Sequence, residues 1–169
     1  MIRSLFWMLT LVFAAAVLQS TLLAGVALYG AVPDLALGIL VYLAYAKGLM
    51  AGQVSGFLSG VLLDLISAAP IGLNALIRTL IGAAASMTKG RVLMGYILLP
   101  VLLCALATLL KAALLFPLSL IFPEVSAYPL SAPLLWAELA LNMASAPPLF
   151  LLLKRLDVLM LGRRHRDER

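Results

Sequence analysis

Four ionisable side chains stand within otherwise apolar stretches of this chain: Asp64, Arg78, Lys111 and Glu138. Two carboxylates and two cations at these separations suit ion pairing, because an isolated charge in a low-dielectric interior costs several kcal/mol and normally finds a partner or faces a polar interior. At a helical rise of 1.5 Å per residue, Asp64 falls about 6 Å before the turn Ala68-Ala69-Pro70-Ile71-Gly72, and Arg78 about 9 Å after it. That spacing predicts an Asp64–Arg78 pair. Lys111 and Glu138 form a second candidate pair, and cross-pairing among the four is equally allowed. Such charges can lock a helical bundle, receive a partner, or line a proton or substrate path. Bond-breaking chemistry has no corresponding pattern: the chain lacks a nucleophile elbow, a phosphate-cradling loop, a metal-ligand cluster and a close carboxylate pair. No catalytic, metal-binding or cofactor-binding residue is therefore predicted, and the chain reads as a non-enzyme. Cys104 is the only cysteine and lies in an apolar run, so no intrachain disulfide can form. His165, also alone, reads as a solvated residue rather than a metal ligand.

The elements that must position these charges carry their own pattern. Gly48, Gly52, Gly56 and Gly60 recur every four residues and end on Asp64, with Ser55 and Ser59 alongside. Spacing of four places them on one helix face. In lipid, small residues on such a stripe allow two helix backbones to approach closely. Helix packing is the structural reading; a partner-binding face or a substrate groove is the functional one. Arg78, Gly82, Ser86 and Gly90 form a matching stripe. The two predict an antiparallel hairpin closed by Pro70, Gly72 and Asn74.

Composition fixes the solvent. The 169 residues are 64% hydrophobic and only 11% charged, with mean hydropathy +1.14. A soluble domain of this size cannot hide that much apolar surface. The apolar runs are long and do not alternate, which selects helices over a β-barrel. The predicted fold is an all-α integral membrane bundle of about six transmembrane helices in a single domain, with spans near residues 4–25, 33–46, 51–67, 72–88, 92–121 and 131–153 and a basic tail over 154–169. The second span is short against the roughly 20 residues a crossing helix needs. A tilted neighbour, a thinned bilayer or a re-entrant segment accommodates it, and a five-span arrangement stays open.

Charge orients the bundle. With a cytoplasmic N-terminus, Arg3, Lys47, Lys89, Arg91, Lys154, Arg155, Arg163, Arg164, Arg166 and Arg169 all fall inside, whereas the three external connections hold no Lys or Arg and only Glu124 as a charge. Both termini are thus expected in the cytoplasm. This parity also argues against cleavage of the first segment as a secretory signal. Interfacial aromatics are expected at Phe6, Trp7, Tyr42, Tyr45 and Tyr96 on the inside and at Tyr29, Phe122 and Tyr128 on the outside. The net charge of +5 does not indicate nucleic acid, because the basic residues are dispersed except in the tail. Arg163, Arg164 and Arg166 suit anionic membrane lipid. Asn142 and Ser145 suit hydrogen bonds between helices, and Pro147 and Pro148 are expected to kink the last helix.

The stretch from Gly52 to Leu76, Gly-Gln-Val-Ser-Gly-Phe-Leu-Ser-Gly-Val-Leu-Leu-Asp-Leu-Ile-Ser-Ala-Ala-Pro-Ile-Gly-Leu-Asn-Ala-Leu, resembles the core of the rod shape-determining protein MreD family. Leu18-Gln19-Ser20, Pro33-Asp34, Asn142, Pro147 and Lys154-Arg155 occur in the order that resemblance leads one to expect, so it spans the chain. The departure is Ser67-Ala68-Ala69-Pro70, where a glycine is expected in the turn. The resemblance implies a bacterial inner-membrane subunit of the elongation machinery that contacts MreC and, directly or indirectly, MreB, RodA and a class B penicillin-binding protein in support of peptidoglycan synthesis and cell shape. The family is also similar in shape to the six-helix substrate-binding subunits of energy-coupling-factor transporters, which supplies the alternative of a small-molecule transporter subunit. The short external loops, poor in Asn, Asp, Arg and Trp, speak against that alternative.

Overall fold

The computed structural model describes residues 2–21, 25, 27–67, 70–90, 95, 97–122, 125 and 132–161. These residues form six α-helices and no strand: α1 (Ile2–Thr21), α2 (Leu35–Lys47), α3 (Leu49–Ile66), α4 (Leu73–Ser86), α5 (Leu98–Ile121) and α6 (Pro133–Leu161). Each overlaps one of the six apolar segments, and α6 runs on to Leu161, into the stretch read as tail. Three of them, α3, α5 and α6, are long and apolar enough to cross a membrane, while α2 and α4 are shorter apolar helices.

Local chemistry sets the ends of these helices. Asp34 caps α2, its side chain accepting from the Leu37 amide, the arrangement by which a carboxylate satisfies an orphan donor of the first turn. Pro133 opens α6, where a missing N–H costs nothing. Between α1 and α2, Tyr29 and Gly30 both have positive φ, and Leu28 and Ala31 exchange two backbone hydrogen bonds across them. The break between α2 and α3 is the single residue Gly48, at φ +96°, a conformation natural to glycine. The sequence stripe therefore begins at a corner, and only Gly52, Gly56 and Gly60 share the α3 face. Gly90, likewise at positive φ, lies beyond the end of α4.

α2 is the middle of the bundle. Eight of its 13 residues are buried, including Leu37, Leu40 and Val41. The α3–α4 hairpin lies against it on one side and the α5–α6 hairpin on another, with α1 packed on α2 and α3. About 20 Å long at 1.5 Å per residue, it is the helix that contacts all five others. Tyr42 is part of this core rather than an interface, its ring meeting Phe150 edge-on at 5.3 Å.

The glycine stripe is consumed in the closest contact of the fold. A Cβ added at Gly52 would strike the Gly82 carbonyl, one at Gly56 the backbone of Arg78 and Thr79, one at Gly60 that of Asn74 and Ala75, and one at Gly82 the Gly52 carbonyl. The two backbones touch at three levels over about two helical turns. The packing reading of Gly52, Gly56, Gly60 and Gly82 accounts for them, and this face is filled by α4, leaving no room for a separate partner helix. The outward faces carry Phe57 and Leu65 on α3, Leu106 and Phe116 on α5, and Trp136 on α6.

Candidate functional site

Asp64 is buried, and its carboxylate is occupied by main chain. Oδ2 accepts from the amides of Gly72 at 2.9 Å and Ala75 at 3.2 Å, and Oδ1 from that of Asn74 at 2.9 Å. The first turn of α4 leaves four amides without helical partners. Here Leu73 donates to the Pro70 carbonyl, and Asp64 takes the remaining three, those of Gly72, Asn74 and Ala75. Gly72, at φ +97°, stands at the N-cap with no side chain to do so. The macrodipole of α4 also favours an anion at this position. The predicted Asp64–Arg78 pair is thus replaced by a cap supplied from the neighbouring helix, because backbone donors lie closer to the carboxylate than the guanidinium does. Pro70, Gly72 and Asn74 all serve this closure. Removing the carboxylate by Asp64→Ala is expected to cost about 2 kcal/mol, the upper end for loss of a cap, and to speed amide exchange at Asn74 and Ala75; unchanged exchange there would contradict the assignment.

Arg78 turns instead to Asp34. Its Nη2 lies 2.9 Å from both Oδ1 and Oδ2. Lys111 Nζ approaches the same carboxylate at 3.2 Å and Glu138 Oε1 at 2.6 Å. The expected Lys111–Glu138 pair is therefore present, and it joins Arg78 through Asp34. Asp34, Arg78 and Glu138 are nearly sealed, while the Lys111 side chain is 20% exposed. Two carboxylates balance two cations, the condition under which buried ions are tolerated.

The same residue anchors a second chain of bonds. The Asp34 amide donates to Asn142 Oδ1 at 2.6 Å, Asn142 Nδ2 donates to Thr108 Oγ1 at 2.9 Å, and Thr108 donates to the Cys104 carbonyl at 2.8 Å. Asp34 at the head of α2 thereby ties α4 of one hairpin to α5 and α6 of the other. In the sequence Asp34 stands out only through the Pro33-Asp34 of the family resemblance. The readable signal was its place directly after Pro33 and before an apolar helix, a cap position.

Basic residues occupy the opposite end. Lys89 Nζ donates to the Lys47 carbonyl at 3.2 Å beside Gly48, and Lys154 and Arg155 lie three turns beyond Asn142 along α6. Glu124, Arg91, Tyr96, Tyr128, His165, Arg169 and the tail residues Arg163, Arg164 and Arg166 lie outside the described residues, as do Ala68 and Ala69 of the turn.

A family model described as rod shape-determining protein MreD matches residues 1–156, a stretch that includes every residue of the hub and of the α3–α4 hairpin. No curated protein and no solved structure gives a match.

Proposed function

Because the chain belongs to the rod shape-determining protein MreD family, we propose that it is a non-enzymatic, multi-pass subunit of the bacterial inner membrane that binds MreC and so supports peptidoglycan synthesis and maintenance of the rod. The family match over residues 1–156 carries this reading. In it, MreB, RodA and a class B penicillin-binding protein are reached directly or through MreC. All six helices cross the bilayer, with both termini cytoplasmic. The separation of the Lys47–Lys89 end from the Asp34 end supports that orientation, since Lys and Arg gather on the cytoplasmic side. The basic tail meets anionic lipid there. No observation favours the alternative of a small-molecule transporter subunit.

With Gly52, Gly56 and Gly60 buried against α4, MreC docks on an outward apolar face. The ionic hub acts at a distance by fixing how the two hairpins present those faces. A photo-crosslinking side chain placed singly at Phe57, Leu65, Leu106, Phe116 and Trp136 in cells is expected to yield an MreC adduct from one contiguous face. Five well-accumulated variants with no MreC adduct would remove the binding claim.

A further inference from the structure

We propose that Arg78 Nη1 marks a binding position for one neutral acceptor oxygen, supplied by an internal water or by the ester carbonyl of a phospholipid. This goes beyond the MreC reading and does not depend on it. Arg78 meets Asp34 through Nη2 alone, which reaches both carboxylate oxygens. A guanidinium that faces a carboxylate squarely uses two nitrogens, one per oxygen. The approach seen here leaves Nη1 buried and without an acceptor among the described residues. A charged group with an unmatched buried donor is strongly penalised, and Arg78 as a whole is only 5% exposed.

Charge balance selects the class of ligand. Arg78 and Lys111 are matched one for one by Asp34 and Glu138. A phosphate or carboxylate on Nη1 would add an uncompensated negative charge to the interior, whereas a neutral oxygen adds none. Two sources have that chemistry. A water accepts from Nη1 and donates onward to a hub carboxylate, the two or more polar partners that buried water requires. Arg78 also lies only five residues into α4, about 8 Å along its axis from the end that faces outward in the proposed orientation, so the ester carbonyl of an outer-leaflet lipid is the second source. The partial exposure of Lys111 shows that the hub is not closed off on every side.

The test uses the full chain in nanodiscs of phosphatidylethanolamine and phosphatidylglycerol, with a structure determined at a resolution that shows ordered water. The expected result is an acceptor roughly 2.7–3.2 Å from Nη1 that is not an atom of the protein. Native mass spectrometry of wild type and Arg78→Lys, which keeps the charge but lacks the second nitrogen, identifies the source. A lipid retained by wild type and lost from the variant marks the ester carbonyl; equal lipid retention marks water. Nη1 bonded to a main-chain carbonyl or to the Asp34 carboxylate, Nη1 with no neighbour, or a phosphate oxygen in its place would each overturn the proposal.

Discussion

Gly56→Leu is expected to abolish accumulation of the folded protein, and Gly56→Ala alone to destabilise it by roughly 3 kcal/mol, the upper end for overpacking. The reason is where the new atom falls. A single Cβ at Gly56 meets the carbonyl carbon and oxygen of Arg78 and the Cα of Thr79, none of which can swing aside as a side-chain tip can. Separating α3 from α4 is the remaining response, and that carries Asp64 off the α4 amides and Arg78 away from Asp34. Phe57, the next residue, is 54% exposed, and Phe57→Leu should change stability by no more than about 0.5 kcal/mol. Thermal unfolding of purified protein, monitored by monodispersity in detergent, distinguishes the two positions. A Gly56→Leu protein as abundant and as stable as wild type would refute the contact.

Asp34→Ala is the second large effect. It strips Arg78 of its partner, leaves Lys111 with Glu138 as its remaining carboxylate contact in the hub, and uncaps α2. Breaking a buried pair from one side costs about 3–5 kcal/mol because the other charge stays behind. Asp34→Asn should be milder, since an amide oxygen still accepts from Leu37 and from Arg78 while the charge is gone. In a rod-shaped host depleted of its own copy, Asp34→Ala is expected to give rounded cells and Asp34→Asn an intermediate width, scored with protein level by immunoblot. Full rod shape with Asp34→Ala at normal level would show that the hub is dispensable.

Much of this was legible in the sequence because one-dimensional patterns constrained it. Hydrophobic runs mark six segments, and each overlaps one helix, although the bounds differ, by eight residues at the end of α6. The four-residue glycine spacing predicted the α3–α4 contact, since a helix face is a periodic object. Lys111 and Glu138, read as a second candidate pair, do meet. The failures have a common physical origin. Counting depth cannot reveal what else competes for a carboxylate, so Asp64 was assigned to Arg78 although the amides of Gly72, Asn74 and Ala75 claim it. Depth along one hairpin likewise says nothing about a third helix. Asp34 is 44 residues from Arg78 and 77 from Lys111 in the chain, and only the central position of α2 brings them together. Gly48 had the right spacing but the wrong backbone: periodicity identifies a residue type and not its φ.

The central claim is that Arg78 answers to Asp34, so that α2 joins the two hairpins. Paired double-mutant cycles on purified protein test it most directly, one combining Asp34→Asn with Arg78→Met and the other Asp64→Asn with Arg78→Met, read as unfolding free energies. The account predicts a coupling of about 1–3 kcal/mol in the first cycle and additivity within about 0.5 kcal/mol in the second. Additive behaviour of Asp34 with Arg78, together with strong coupling between Asp64 and Arg78, would contradict it.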